Sequence, residues 1–227
     1  ARRKLELMGA THVHTFGDAG SAETLYATLR RLCPLLATLG AKHLVIMDED
    51  NFYPREARGV LDETGWQGLA STVRQAQQII EAEFGLKASF HPHVGTAVQF
   101  EPQIDRLLAE TDIDLCLDTG HHAFWGAEPL PYMQKNWSRI AYMHLKNVDR
   151  AIRQRVLDKE LSIEQAFAAG VMCPLPDGVV DIRAVVQFLD QQGFTGPVVV
   201  EQDPAEDASE TPRELARRNL DYLNSVG

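Results

Sequence analysis

Short apolar runs alternate with longer amphipathic stretches along the whole chain. Six runs predict strands: Leu5–Met8, His43–Met47, Leu86–Phe90, Ile113–Leu117, Ile140–His144 and Pro197–Glu201. Each is continuous rather than alternating, as a parallel strand covered on both faces reads. Between them, apolar residues recur at helical spacing. Ser21–Leu39 places Leu25, Leu29, Leu32, Leu36 and Leu39 on one face, with a kink or interruption expected at Pro34. Further helices are predicted over Gly68–Phe84, Pro102–Thr111, Tyr132–Arg139 and Ile182–Gln192. Ser162 with Gln165 forms a capping box ahead of a brief helix ending at Ala169. At Thr211-Pro212-Arg213-Glu214 the threonine caps, the proline takes the first helical position and the glutamate reaches back. The charged stretch Arg150–Cys173 has no strand pattern and reads as a long lid-like loop around the Ser162–Ala169 helix.

Strand and helix alternating at roughly 30-residue steps predict right-handed crossovers and an α/β fold with a parallel sheet. An open dinucleotide-binding sheet needs a GxGxxG turn after its first strand, and a P-loop protein needs its glycine-rich lysine loop; neither motif is present. The polar residues cluster instead after the C-terminal ends of several different strands. That is the pattern of a (β/α)8 TIM barrel, whose active site is assembled on one rim.

Composition narrows the function classes. With 22 Lys+Arg against 32 Asp+Glu, the net charge of −10 over 227 residues argues against a nucleic-acid or anionic-membrane surface. The longest apolar runs, such as Leu44–Met47, are too short to span a membrane, and Ala1–Lys4 leads into no signal-peptide core. Cys33, Cys116 and Cys173 are odd in number and widely spaced, which is no disulfide framework; a reducing cytoplasm is expected, with Cys33 and Cys116 in the core.

The strand exits carry the chemistry. The third predicted strand runs into His91-Pro92-His93, the fourth into Asp118-Thr119-Gly120-His121-His122, the fifth into His144-Leu145-Lys146 and the last into Glu201-Gln202-Asp203. Taken alone, Asp118 reads as a helix cap, His144 as a core histidine and Glu201 as a rim charge. Together they place imidazole and carboxylate on one rim, a donor set that suits Mn²⁺, Co²⁺, Fe²⁺ or Zn²⁺. His12 and His14 lie in a poorly placed segment, His43 precedes its strand, and Asp48-Glu49-Asp50 read mainly as solvated or capping.

The stretches LCLDTGH (115–121), HLKN (144–147), LPDGVVD (175–181) and VVVEQDP (198–204) resemble the sugar isomerase/epimerase superfamily with the xylose-isomerase-like barrel. HPHVGT (91–96), followed by a helix ending IDRLL, resembles the inosose (2-keto-myo-inositol) dehydratases within it. The likeness is good over about 86–225 and loose before it. It implies a divalent metal, Mn²⁺ or Co²⁺ ahead of Zn²⁺, Fe²⁺ or Mg²⁺, held by Asp118, His144 and Glu201. The family's first ligand is often a glutamate at the end of the strand matching 86–91. Here no glutamate stands between Glu83 and Glu101, and His91 is the nearest candidate, with Ser89 the alternative that leaves the place to water or substrate. Asn147 also departs from an aspartate common in relatives.

The implied chemistry is proton removal beside a substrate carbonyl, with His93, His121 and Glu201 as candidates for moving the proton and Lys146 as hydrogen-bond donor or acid. Trp125, Arg153 and Arg155 are candidate substrate contacts; packing for Trp125 and solvation for the arginines are the plainer roles. Dehydration and epimerisation or isomerisation both follow from this site. A non-catalytic sugar-binding relative is the reading favoured by the missing glutamate, and an abasic-site endonuclease is disfavoured by the acidic charge. The expected partner is a small keto-sugar or keto-inositol; oligomers are common in the family, though no dimer face is legible. If the last four barrel strands fall within 86–201, the first two predicted strands are the third and fourth of the barrel. The expectation is therefore one domain over 1–227 that lacks two front strand–helix units, either because those residues precede Ala1 or because the barrel is incomplete.

Overall fold

Burial draws residues 44–46, 88–90, 115–117 and 142–145 into parallel strands, whereas the valine run Val198–Val200 stays partly exposed. The computed structural model describes residues 5–18, 20–49, 51–57, 59–205 and 209–227; Ala1–Lys4 and Asp50 lie outside them. The chain divides into two compact units, Ala1–Asn51 with Ala57–Cys116, and Phe52–Glu56 with Leu117–Gly227.

In the first unit the elements are β1 (Gly9–His14), α1 (Ala22–Thr38), β2 (His43–Asp48), α2 (Glu63–Gln78), β3 (Lys87–Phe90), α3 (Glu101–Glu110) and the start of β4 (Asp114–Asp118). The strands are parallel neighbours in that order, with Gly9 opposite His43, His14 opposite Asp48, and Val45 opposite Ser89. The first strand is therefore not Leu5–Met8. Those residues form no ladder, and Leu5, Leu7 and Met8 are exposed, whereas Thr11-His12-Val13-His14 pair with β2. Backbone pairing decides here over local hydrophobicity.

Helix α1 buries Leu25, Leu29, Cys33 and Leu36, but Leu39 is exposed. It runs through Pro34 without interruption. Pro34 and Arg30 both lie on the exposed face, so the carbonyl that the proline leaves without an in-helix donor meets water. Helix α2 starts five residues earlier than its apolar pattern predicts. Asp62 caps it by accepting from Gly65 N–H at 2.8 Å, and Trp66 is buried with its indole donating to Glu110 at 3.0 Å. It ends in a π-type turn, Ile79–Glu83. Asp48, at the exit of β2, is buried and accepts from the N–H groups of Phe16 (3.0 Å) and Ala97 (3.1 Å), so it clamps two loops. Burial holds its carboxyl above the usual range despite those donors.

The second unit contains the end of β4, α4 (Thr119–Phe124), α5 (Pro129–Lys135), β5 (Ile140–Leu145), β6 (Asn147–Val148), α6 (Arg150–Leu157), α7 (Ile163–Ala168), β7 (Met172–Cys173), α8 (Ile182–Gln191), β8 (Val198–Val200) and α9 (Pro212–Val226). Here β4, β5 and β8 are neighbours in that order, with His144 opposite Val199. Both predicted capping boxes form, at Ser162 and at Thr211. The stretch 150–173 is more ordered than the loop expected from its charge. Asp149 caps α6 by accepting from Ile152 N–H at 2.8 Å, and Met172–Cys173 pairs antiparallel with Asn147–Val148. Val156 alone is buried in α6, so its hydrophobic signal is thin. Burial pushes the Cys173 thiol up to about 12, which suits a packed rather than a reactive sulfur.

Candidate active site

Asp118 ends β4 and begins α4, and its two oxygens do different work. Oδ1 accepts from the N–H groups of Gly120 (2.7 Å) and His121 (2.8 Å), so the helix-cap reading holds for that oxygen. Oδ2 is buried and accepts no hydrogen bond among the described residues. It lies 3.6 Å from His144 Nδ1, which is 2.8 Å from Glu201 Oε2. Donor atoms of Asp118, His144 and Glu201 thus converge within 4.8 Å of one another. A buried carboxylate oxygen without a donor, beside an imidazole and a second carboxylate, fits a divalent cation.

Lys146 is 1 % exposed and points its ammonium into the same cluster. Nζ is 2.8 Å from Asp203 Oδ2, 3.0 Å from His121 Nε2, 3.3 Å from Glu201 Oε2 and 3.9 Å from Asp118 Oδ2. Burial lowers its pKa, but the three carboxylates outweigh burial and leave it above the usual lysine value. The group is therefore a cation and a donor. An ammonium cannot accept, so in this contact His121 Nε2 is the acceptor. The His121 ring also stacks on Phe167 at 6.3 Å.

Two further motif residues build this arrangement. Thr119 Oγ1 donates to Lys146 O at 2.6 Å and accepts from Lys146 N–H at 3.0 Å, which ties the start of α4 to the exit of β5. The Lys146 stem passes directly over Gly120, where a Cβ would stand 2.6 Å from Lys146 Cγ. Only glycine admits that approach.

The remaining candidates are placed as follows. Strand β3 stops at Phe90, so strand alternation does not relate His91 to His93; their rings meet edge to face at 5.4 Å. His91 is buried and its N–H donates to Ile46 O at 2.9 Å, while half-buried His93 has Nδ1 2.7 Å from Val94 O. Trp125 is buried at the end of α4, edge-on to Phe124 at 4.9 Å, and lines a cavity of about 520 Å³ with Phe52, Pro54 and Leu161. Arg153 donates to Ala123 O at 3.1 Å. Arg155 is on the exposed face of α6, 3.3 Å from Glu160, and is not brought to the Lys146 cluster. Asp203 was not singled out from the sequence; its signal was its place two residues after Glu201 in VEQD.

Asn147 departs from aspartate for a visible reason. Its amide donates to Leu175 O (2.7 Å) and Val180 O (3.0 Å), and its carbonyl oxygen accepts from the N–H groups of Val148 (2.9 Å) and Val180 (2.8 Å). All four hydrogen-bonding positions are filled, and a carboxylate could fill only two. Gly178 gives the amide room, because a Cβ there would overlap it.

Among the described residues no helix is long and apolar enough to cross a membrane. Residues 5–226 match the family model of the xylose isomerase-like TIM barrel. The chain is 35% identical over 203 residues to an inosose dehydratase of Geobacillus thermodenitrificans, covering 84% of this chain and 67% of that protein. It is 31% identical over 196 residues to the rhizopine catabolism protein MocC of Rhizobium meliloti, covering 82% and 60%. Among solved structures, the IolI protein with a bound zinc atom superposes with a TM-score of 0.73 at 16% identity, covering 97% of this chain and 76% of that one. The 3-keto-D-glucoside 4-epimerase YcjR of E. coli gives 0.73 at 16% identity, covering 97% and 80%. At that identity the structures speak for the fold. The chain belongs to the xylose isomerase-like TIM barrel family.

Proposed function

We propose that this chain is an inosose-dehydratase-like lyase, which removes a proton beside the carbonyl of a keto-inositol or keto-sugar and expels the β-hydroxyl as water. The observation that carries it is the convergence of Asp118, His144 and Glu201 beside a buried, protonated Lys146. The likeness to inosose dehydratases supports the substrate class. In this reading the three residues hold a divalent metal, Mn²⁺ or Co²⁺, and His91 at the exit of β3 is the fourth ligand. Such a cation, when bound, supplies the positive charge that polarises the substrate carbonyl.

The chain's own groups then divide the proton work. Lys146 directs Nζ at Asp203, His121 and Glu201 inside the cluster, so it is the group placed to donate to a substrate oxygen or to the departing hydroxyl. His121 accepts from Lys146 and orients it, which leaves Glu201 and His93 as the groups that take the proton from carbon. A small-molecule substrate and a cytoplasmic site of action belong to the same reading.

Metal analysis of the purified protein, followed by 2-keto-myo-inositol with added Mn²⁺ or Co²⁺, tests it. The expected result is bound divalent metal and growth of a dione absorbance. Solvent deuterium entering a ketose at the α-carbon in D₂O, with no dione formed, would replace the dehydratase reading by epimerisation. No bound metal, and no response to added metal, would sink the metal-dependent reading altogether.

A further inference from the structure

At the far end of α4 from Asp118, a second cavity of about 520 Å³ is lined by Ala123, the loop 126–131, Arg150, Arg153 and residues 179–181, with Ala184 and Val185. That volume is within the range of small-molecule sites. None of Asp118, His121, His144, Lys146, Glu201 and Asp203 lines this cavity.

Three features make its two arginines electrostatically unfavourable as they stand. Arg150 and Arg153 are three residues apart on α6, so they share a face with Cβ atoms about 5–6 Å apart and repel each other. Arg150 is the first residue of α6, where the helix end is itself positive. Arg153 uses Nη1 on Ala123 O, but its buried Nε has no acceptor. Glu128 and Asp181 also line the cavity, and Asp149 caps α6, yet no carboxylate lies within ion-pair distance of either arginine among the described residues. Asp181 Oδ1 is committed to capping α8 through Ala184 N–H at 2.9 Å.

One oxyanion answers all three features at once. It would neutralise the like-charge pair, suit the helix end and give the buried Nε an acceptor, since a guanidinium fork matches phosphate and carboxylate oxygens. We infer that the Arg150–Arg153 cavity is an oxyanion-binding subsite, for the phosphate of a phosphorylated small molecule or for free phosphate. It stands on side chains away from the cluster and is independent of the dehydratase reading.

Isothermal titration calorimetry of the full chain tests it, with inorganic phosphate and a hexose 6-phosphate as probes and ionic strength held constant with sodium chloride. Saturable binding is expected, falling at least tenfold in the Arg150→Gln/Arg153→Gln double variant and unchanged in Arg31→Gln, which removes one exposed charge from α1. Tighter binding of the sugar phosphate assigns the site to a phosphorylated ligand; equal binding assigns it to the free anion. Should circular dichroism show the double variant unfolded, Arg153→Lys serves instead, because it keeps the charge and loses the Nε donor; its affinity should still fall severalfold. No saturable heat with either probe, or undiminished binding in the folded variants, overturns the inference.

Discussion

Asn147→Asp is the most demanding perturbation the structure offers, because it changes one atom and removes two buried donors. The Asn147 amide donates to Leu175 O and Val180 O at 2.7 and 3.0 Å. A carboxylate keeps the two bonds accepted from Val148 and Val180 N–H but sets an oxygen against those two carbonyls. Leaving a buried polar group without its partner costs about 1–3 kcal/mol. Two carbonyls therefore give about 2–6 kcal/mol. For a chain of this length, about 2–4 °C per kcal/mol turns that into an unfolding midpoint lowered by about 4–24 °C. The pH dependence has a definite sign. A protonated carboxyl can donate one of the lost bonds, so the folded state raises the pKa of the introduced group above its unfolded value. The native state then binds the proton more tightly, and the deficit relative to the parent shrinks as pH falls toward 4 and grows as it rises. Thermal unfolding of parent and variant between about pH 4 and 8 reads both effects. A midpoint within about 1 °C of the parent throughout would refute the claim that the amide donors hold the Leu175–Val180 loop.

Three further outcomes are expected. Asp118→Asn and His144→Ala should each abolish activity and retained metal with the fold intact by circular dichroism; full activity in either would remove that residue from the site. Gly120→Ala places a methyl 2.6 Å from Lys146 Cγ, and overpacking of this kind costs about 1–3 kcal/mol, so unfolding should come earlier and catalysis weaken as Lys146 is displaced. Lys146→Met leaves Asp118, Glu201 and Asp203 facing one another; at pH 7 it should destabilise by up to about 3 kcal/mol, the lower end for breaking a buried pair because Glu201 and Asp203 are partly open to water. Urea denaturation at pH 7 reads that loss, and a midpoint equal to the parent's would contradict it.

The strand exits were legible because a buried parallel strand is a dense apolar run, and the first polar residue after it is conspicuous. Asp118, His144 and Glu201 stood out in this way. Gly9–His14 did not, since Thr11, His12 and His14 carry no strand-like hydrophobicity and the ladder to β2 fixes them instead. Helix α6 was hidden by four arginine and glutamine side chains around a single buried Val156, although Asp149 ahead of it was a usable cap signal. Asp203 and Thr119 were missed for a different reason. Their roles are contacts to Lys146 across 57 and 27 residues of chain, and no local pattern encodes such a separation.

These contacts also explain why the DTGH and HLKN stretches work as one device rather than two motifs. Asp118 spends one oxygen on starting α4 and so holds the other in the cluster. Thr119 then locks the start of that helix to the Lys146 backbone in both directions, and Gly120 clears the path for the lysine stem. His121, one residue on, receives the ammonium that the stem delivers. Four consecutive residues thus set the reach, direction and charge partner of one buried lysine. In a chain with net charge −10, that lysine is the cation placed among Asp118, Glu201 and Asp203. On the proposed reading the same contact set places both the carboxylates and the lysine, so Asp203→Asn, which weakens the hold on Nζ, should lower kcat with the fold intact by circular dichroism, and an unchanged kcat would refute that role.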